Sequence, residues 1–253
     1  MPFAPEDLTD DAFLGGRLHL WQPRRGYRAA TDPVLLAACC NAKPGQSVLD
    51  LGCGAGAAAL CLGTRVERLD LSGLEVQPAY ADLAQRNASR AGIAFEVVEG
   101  SILDMPHRLR HGFDHVITNP PYYPPVGTIA NDPGRNIALR EEISLADWIA
   151  AATRRVGPGG WLTLVLRADR LGDGLAAMGP GMGSTAIIPF APREGRAAGR
   201  VVIRARKGGR AALQLLAPFI LHTGPEHPGD RDNHSPQAEQ VFRHGEGLNH
   251  LFT

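Results

Sequence analysis

The residues best suited to chemistry are Asn119-Pro-Pro-Tyr122, which directly follow an apolar stretch ending at Thr118. The two prolines fix φ and carry no N–H donor, so the carbonyl groups of this loop remain as acceptors. The Asn119 side-chain oxygen and the Pro120 carbonyl can accept both hydrogens of a planar amine, while Tyr122 stacks on its ring. Such acceptors stabilise positive charge that develops on an attacking nitrogen. The structural alternative is an ordinary Pro-Pro turn with a solvent-facing Asn.

A second candidate is the glycine-rich sequence Asp50-Leu-Gly-Cys-Gly-Ala-Gly56, which lies where an apolar strand turns into a helix. Glycines let a ligand approach the backbone, and the helix N-terminus offers free N–H groups and a positive dipole. Glu75 ends the next strand, 19 residues beyond Gly56. A carboxylate at this place can bind the two hydroxyls of a ribose. Together these features predict an adenosine-containing cofactor.

The glycines alone do not identify that cofactor. Read as Gly52-x-Gly54-x-x-Ala57, the loop also fits the dinucleotide-binding fingerprint, and glycine-rich turns occur without any ligand. Asp50 favours S-adenosylmethionine (SAM), because an acidic residue there steadies the turn and the amino-acid end of SAM. The same charge would be unfavourable beside a dinucleotide pyrophosphate. A nicotinamide oxidoreductase would also leave the Asn119–Tyr122 motif unexplained.

The elements that must position these loops alternate between strand and helix, the pattern of a mostly parallel sheet with helices on both faces. A lead-in hairpin is expected from Leu18–Trp21 to Tyr27. The predicted strands are 47–51, 71–76, 94–98, 113–118, 161–166, 185–190, 200–206 and 213–221, and the predicted helices are 33–40, 57–62, 78–91 and one that Ser144 caps.

The length of 253 residues fits one compact α/β domain. We divide it into a lead-in (1–45), a SAM-binding core (46–208) and a C-terminal strand and tail (209–253), with a polar segment at 224–233 that we expect to be mobile. Lysine plus arginine equal aspartate plus glutamate at 26 each, so net charge names no partner. The composition is that of a globular protein and excludes a disordered tail, a coiled coil and a disulfide miniprotein.

Targeting and metal signals are lacking in the sequence. No apolar run is long enough for a membrane span, and the acidic, proline-broken N-terminus is the reverse of a secretory signal. The four cysteines show no metal-binding or disulfide spacing, so the reducing cytoplasm is the expected compartment. His107, His111 and His115 lie four residues apart, but Gly112 interrupts any helix that would align them, and no metal is expected.

The combination of DLGCGAG and NPPY resembles class I methyltransferases that act on exocyclic or amide nitrogens. From about Leu14 to Leu221 the chain is similar to the bacterial tRNA adenine-N6 methyltransferases, which modify the adenosine 3′ of the anticodon in valine tRNA. The similarity includes the lead-in Gly26–Leu36, the stretch Leu74–Pro78 and the turn Gly157–Trp161. It implies a Rossmann-like, seven-stranded sheet with strand order 3-2-1-4-5-7-6.

The resemblance also implies roles for individual residues. It implies that SAM is contacted by Asp50, Gly52, Gly54, Glu75 and Asn119. It also implies that the target amine is held by Asn119, Pro120 and Tyr122. Thr31 and Asp32 match a lead-in motif that lies over the cofactor, although Asp32 could equally be the N-cap of the Pro33 helix. Where the family usually has Gly-Asp after the third strand, this chain has Gly100-Ser101. The SAM adenine is therefore expected to meet Ser101, a weaker acceptor, or Asp104.

The substrate is predicted from what surrounds the motif. Only about 45 residues precede the first sheet strand, too few for the helical module of release-factor glutamine methyltransferases, and no space remains for a DNA recognition domain. Two arginine-rich runs, 17–28 and 193–210, suggest phosphate contacts, although arginines alternating along 200–206 also fit a solvated strand face. We therefore expect RNA, specifically a tRNA anticodon loop, whose unpaired base reaches a pocket at little cost.

Three alternatives to methylation of an adenine in tRNA stay open. The same chemistry could act on a guanine amine of rRNA or on a protein glutamine, and the chain could bind SAM without catalysis. Residues 124–135, which follow the motif and are rich in Gly and Pro, are expected to form a lid over the bound substrate. The oligomeric state is not predicted.

Overall fold

The computed structural model describes residues 2–121, 143–224 and 233–252. The strands are β1 (Leu8–Phe13), β2 (Leu18–Pro23), β3 (Ser47–Leu51), β4 (Asp70–Glu75), β5 (Phe95–Glu99), β6 (Phe113–Thr118), β7 (Val156–Arg167), β8 (Met182–Ala191), β9 (Arg200–Lys207), β10 (Gln214–Leu215) and β11 (Phe219–Ile220). The α-helices are α1 (Thr31–Cys39), α2 (Ala57–Arg65), α3 (Pro78–Ala91), α4 (Leu145–Arg155), α5 (Leu171–Ala177) and α6 (Pro236–His244).

The main sheet has the order β10-β8-β9-β7-β6-β3-β4-β5, and β11 also pairs with β8. Only β9 runs antiparallel to its neighbours β7 and β8. Counted from β3, the seven longer strands follow the predicted order 3-2-1-4-5-7-6, which confirms the class I methyltransferase fold. The two short strands β10 and β11 extend the β8 edge.

Two hydrophobic clusters lie on opposite faces of this sheet, because neighbouring residues of a strand point to opposite sides. Ile117 belongs to the cluster that contains α1 and α2 residues, whereas Val116 belongs to the cluster that contains Ile149 of α4. Buried residues of α3 and α6 also join the first cluster, and partly buried residues of α5 join the second. The helices therefore cover both faces, as predicted.

Several elements match the predictions closely. Helix α3 and strand β6 have the predicted bounds, and α3 has Pro78 at its start and Gly92, with φ of 66°, at its C-cap. Helix α4 starts after Ser144, whose Oγ accepts a hydrogen bond from the Asp147 backbone N–H at 3.0 Å. Local capping signals are sufficient at these places because nothing in the tertiary structure opposes them.

The lead-in hairpin was placed wrongly. Strand β2 pairs with β1, which precedes it, and not with the chain around Tyr27; the register runs from Leu8 opposite Pro23 to Phe13 opposite Leu18. The strand β1 was not predicted because it contains Asp10 and Asp11, and Asp is depleted in strands. Here the two carboxylates are offset by salt bridges: Asp10 pairs with Arg90 and Asp11 with Arg28.

The C-terminal region also differs from expectation. The predicted strand 213–221 is two short strands, because Pro218 between them carries no N–H for the ladder. Helices α5 and α6 were not predicted, and residues 157–160, expected as a turn, lie inside β7 at a register shift between β6 and β7. Most of the polar segment 224–233 lies outside the described residues.

The four cysteines are buried and unpaired. Burial raises the pKa of the Cys40 thiol to about 11 and that of Cys61 to about 12. None of the helices in the described parts of the chain is long and apolar enough to cross a membrane.

Candidate active site

The predicted site residues meet at the carboxyl edge of the sheet. Strands β3 and β6 lie side by side with Leu51 opposite Thr118, and β4 flanks β3 with Leu74 opposite Leu51. The glycine loop, Glu75 and Asn119 therefore leave neighbouring strands at one edge. The strand order reverses between β3 and β6, and the crevice at such a switch point is where α/β sheets bind ligands.

The glycine loop is held against β4 by its own backbone. The N–H groups of Gly52 and Cys53 both donate to the carbonyl of Leu74, at 2.9 and 3.0 Å. Gly52 has φ of 76°, and a Cβ there would lie 2.5 Å from Cζ2 of Trp148 on α4. Only glycine fits this position, since both the dihedral and the ring exclude a side chain.

Asp50 is 2% exposed and caps a helix from a distance. Its Oδ2 accepts from the N–H of Ala59, the third residue of α2, at 3.1 Å. The N-cap residue of that helix, Gly56, has no side chain to do this. Burial raises the pKa of Asp50 to about 7. The carboxyl group thus steadies the turn from strand to helix.

Both oxygens of Glu75 are engaged by backbone donors. Oε2 accepts from the Gly54 N–H and Oε1 from the Gln77 N–H, each at 2.9 Å. Burial raises the pKa of Glu75, and these hydrogen bonds oppose the rise. Each carboxylate oxygen has a further lone pair, so Glu75 can still accept from two hydroxyls of a ribose.

Asn119 follows a firmly held strand end. Thr118 Oγ1 donates to the Leu51 carbonyl at 2.7 Å and accepts from the Trp148 indole N–H at 2.8 Å. The Asn119 Nδ2 donates to the hydroxyl of Tyr27 at 3.4 Å. Its Oδ1 is buried and has no hydrogen-bond partner among the described residues. Several buried side-chain atoms of the described residues share this property, and Asn119 Oδ1 is one that lies at the carboxyl edge of the sheet.

Tyr27 lies in the segment between β2 and α1 and reaches over the glycine loop. One of its ring carbons lies 3.6 Å from the place of a Cβ on Gly54. About half of the residue is exposed, but the hydroxyl faces inward to Asn119. Loss of hydration raises the pKa of Tyr27 to about 12, so the hydroxyl stays protonated at neutral pH.

For Asp32 of the lead-in motif, one of the two predicted alternatives, the helix N-cap, is wrong. Helix α1 begins at Thr31, its N-cap is Ala30, and no side chain caps it. Asp32 is therefore not the N-cap; its Oδ2 accepts from Arg200 Nε on β9 at 2.9 Å. Thr31 is exposed beside it at the start of the helix.

The two candidates for the adenine contact have different surroundings. Ser101 Oγ accepts from the Leu103 backbone N–H at 3.2 Å. Asp104 is highly exposed, and its Oδ1 accepts from Arg110 Nη2 at 2.9 Å. One ion pair at Oδ1 leaves Asp104 able to accept further hydrogen bonds, so the adenine contact stays a prediction for Ser101 or Asp104.

Part of the predicted site lies outside the described residues. Tyr122, the aromatic platform of the motif, and the expected lid at 124–135 fall in the undescribed range 122–142. Pro120 is described and buried directly beside Asn119.

The arginine run on β9 is mostly structural. Arg204 is 6% exposed, and its guanidinium lies 3.8 Å from the ring centroid of Phe252 and 5.0 Å from that of Trp161. Lys207 Nζ donates to the carbonyl of Val156, the C-cap of α4 and the first residue of β7. The interpretation of this strand as a solvated arginine face is therefore wrong at Arg204, whereas Arg206 on the same strand is exposed.

The first arginine run is also largely engaged. Arg28 donates to the Asp11 carboxylate at 2.6 Å and to the carbonyl of Pro23. Arg25, Arg196 and Arg210 are exposed and make no side-chain hydrogen bond or ion pair with the described residues. They are the members of the two runs that stay available for phosphate.

Sequence reasoning missed two residues of the site. The sequence places Trp148 on a buried helix face, and it places Tyr27 at the end of a hairpin and within the lead-in Gly26–Leu36, with no site role for either. The indole N–H of Trp148 was an available signal, because a buried indole usually finds an acceptor. For Tyr27 the signal was its place in that lead-in, but its contact with Asn119 joins residues 92 positions apart and could not be predicted.

A family model and several known methyltransferases match this chain. The family model "Methyltransferase small domain" matches residues 30–171, more than half of the chain. The tRNA1(Val) (adenine(37)-N6)-methyltransferase of Porphyromonas gingivalis is 33% identical over 176 residues, which cover 66% of this chain and 69% of that protein. The release factor glutamine methyltransferase of Geobacter sulfurreducens is 32% identical over 148 residues, covering 55% of this chain and 51% of that protein.

Among solved structures, a protein of Agrobacterium tumefaciens described as a predicted O-methyltransferase superimposes with a TM-score of 0.68 and 27% identity. The superposition covers 85% of this chain and 97% of that one.

Proposed function

Because the chain belongs to the methyltransferase small domain family and is a SAM-dependent methyltransferase, we propose that it methylates the N6 amine of an adenine in tRNA. The observation that carries this proposal is the buried Oδ1 of Asn119, which has no hydrogen-bond partner among the residues that the structure describes. It lies beside the glycine loop and Glu75, at the edge where the cofactor would bind.

The residues present fit SAM. The carboxylate of Glu75 keeps lone pairs for the ribose hydroxyls, and the loop beside it turns with positive φ at Gly52, Gly54 and Gly56. Asp50 and Ser101 would complete this side of the site, with Thr31 and Asp32 at its border. When bound, SAM supplies a methyl group on a positively charged sulfur.

The Asn-Pro-Pro-Tyr loop, across the site from Glu75, holds the target amine, which is the nucleophile of the reaction. Asn119 Oδ1 and the Pro120 carbonyl accept the two hydrogens of the target amine, and Tyr122 stacks on its ring. These acceptors direct the nitrogen lone pair outward and stabilise the positive charge that develops on nitrogen. The methylated ammonium is acidic enough to lose its proton to water, so the site needs no strong base. Tyr27, with its pKa raised to about 12, is correspondingly unsuited to be one.

The choice of tRNA is supported by the relative from Porphyromonas gingivalis and by the cost of delivering the base. We propose the adenosine 3′ of the anticodon in valine tRNA as the target. A base in an anticodon loop is already unpaired, so moving it into the site costs at most a few kcal/mol. The exposed Arg25, Arg196 and Arg210 can contact the phosphates. A tRNA substrate would place the enzyme in the cytoplasm.

A second candidate is the amide nitrogen of a protein glutamine. It is supported by the similarity to the release factor glutamine methyltransferase and by the acceptor pair itself, which would hold an amide NH2 equally well.

One experiment separates these candidates. The protein is incubated with SAM carrying a tritiated methyl group and, separately, with unmodified total tRNA, rRNA and a protein extract. We expect label in tRNA, which digestion and mass spectrometry identify as N6-methyladenosine beside the anticodon. The Asn119→Ala variant is the matched control and should label tRNA at a rate about 100-fold or more below that of the wild type. Label only in protein or rRNA would overturn the tRNA assignment, and label in none of the pools would refute the proposed function.

A further inference from the structure

We propose that Tyr27 is a positioning residue that orients the Asn119 side-chain amide so that its oxygen, and not its nitrogen, faces the incoming amine. This inference rests on the proposed role of Asn119 as the acceptor of the target amine. It assigns a task to a residue outside the Asn-Pro-Pro-Tyr motif.

The amide of Asn119 needs such a partner because its two ends are nearly the same size. Rotation by half a turn about the Cβ–Cγ bond exchanges Oδ1 and Nδ2 at little steric cost. In the exchanged orientation an N–H donor would face the N–H donors of the substrate. In the structure, Nδ2 donates to the Tyr27 hydroxyl at 3.4 Å, and Oδ1 is buried without a hydrogen-bond partner among the described residues. Anchoring the nitrogen end thus selects the productive orientation.

A hydroxyl can both donate and accept, so the direction of this hydrogen bond must also be set. In the structure the Asn119 N–H is the donor and the Tyr27 oxygen is the acceptor, so the hydroxyl hydrogen is turned away from Asn119.

Tyr27 itself is held from two sides. Its backbone carbonyl accepts from the Tyr80 hydroxyl at 3.0 Å, and its ring packs over Gly54. The preceding Gly26 has φ of 111°, and a Cβ there would lie 2.8 Å from the Tyr80 oxygen. The ring position is therefore fixed by contacts that do not involve its hydroxyl, so a phenylalanine would keep the same place.

The test uses Tyr27→Phe, which removes only the hydroxyl. Single-turnover methyl transfer to an unmodified valine tRNA transcript is measured with tritiated SAM. We expect the rate to fall about 10-fold, the scale of a misoriented group in a reacting complex, while the Kd for SAM and the melting temperature stay close to wild type.

A double-variant comparison shows whether Tyr27 acts through Asn119. The carboxylate of Asn119→Asp presents an oxygen in either orientation, and Asn119→Ala has nothing to orient. Tyr27→Phe should therefore cause no further loss in either background. An equal loss in all backgrounds would overturn the inference, as would an unchanged rate for Tyr27→Phe alone. If instead Asn119→Ala leaves transfer intact, the proposed function itself fails.

Discussion

The two sides of the site differ in how their polar atoms are satisfied. On the cofactor side, the buried carboxylates of Asp50 and Glu75 accept hydrogen bonds from backbone N–H groups of the glycine loop, of the first turn of α2 and of the N-cap residue of α3. On the amine side, Asn119 is anchored only through its nitrogen and its oxygen has no partner in the described chain. The first side is completed by the described chain itself, whereas the second presents an acceptor that the proposed substrate amine would fill.

This difference has an energetic meaning. A buried acceptor without a partner costs about 1–3 kcal/mol, and Asn119 Oδ1 has none among the described residues. In its proposed role, the substrate amine would recover that free energy on binding, and more of it as positive charge develops on nitrogen. On the cofactor side little is left to recover, and the pre-formed loop instead reduces the ordering cost of binding.

The largest expected effect is that of Asn119→Ala, which removes the acceptor on the amine side and leaves the cofactor side in place. We expect transfer to tRNA to fall by about 100-fold or more, as for the loss of one positioned polar group at a transition state. The Kd for SAM, measured by calorimetry, should hardly change because the cofactor side is complete without Asn119. Parallel losses of transfer and SAM binding would mean that the two sides are not separate.

Tyr122→Ala tests the other half of the amine side. Loss of the stacking platform should weaken binding of the target base by about 1–3 kcal/mol, read as a rise in the Kd for an anticodon stem-loop RNA. Tyr123→Ala is the matched control. If the control weakens binding more than Tyr122→Ala, the platform has been assigned to the wrong ring.

Glu75→Gln should act on the cofactor side alone. The amide of the variant places an N–H donor against the Gly54 or Gln77 N–H, so the loop and the ribose contact are both disturbed. We expect the Kd for SAM to rise about 10-fold, with a smaller change in transfer at saturating SAM. Glu99→Gln, on the exposed end of the neighbouring strand β5, should have no effect. Equal responses of the two variants would argue against the ribose contact.

The smallest expected effect is that of Asp50→Asn on stability. The folded pKa of Asp50 is about 7 against an ordinary value of 3.8, so between these pH values the folded state holds more protons than the unfolded state. Its contribution to stability is therefore present at acidic pH and is lost as pH rises toward 7. An Asn keeps the acceptor for Ala59 without this loss.

Above pH 7 the variant should melt about 2–4 °C higher than wild type, the shift that corresponds to about 1 kcal/mol, and the difference should disappear toward pH 4. Scanning calorimetry of the ligand-free proteins across this range checks both statements. A constant difference at every pH would mean that ionisation of Asp50 plays no part.

Local sequence signals were enough for part of the fold. Pro78 and Gly92 delimit α3, and Ser144 starts α4, because caps act within one turn of a helix. The strand order followed from resemblance and from the glycine and Asn-Pro-Pro loops at strand ends. By contrast, β1 could not be predicted from its own residues, since the arginines that neutralise its aspartates are distant in sequence.

The site divides in the same way. Asp50, Glu75 and Asn119 could be predicted because each stands at a fixed distance from a strand end in a recognisable motif. The partner of Asn119 could not, because Tyr27 reaches it through tertiary structure alone. Arg204 was misjudged for a similar reason: nothing near it in sequence shows that Phe252 and Trp161 enclose it.

The buried cysteines make the folded chain unreactive toward thiol reagents. Only a thiolate reacts, and burial raises the pKa of Cys40 and Cys61 far above neutrality in addition to shielding the sulfur. The rate of alkylation at neutral pH is therefore governed by how often the structure opens. Of the four, Cys53 lies within the glycine loop itself. Its labelling rate, followed by mass spectrometry, would report the breathing of that loop without any added probe.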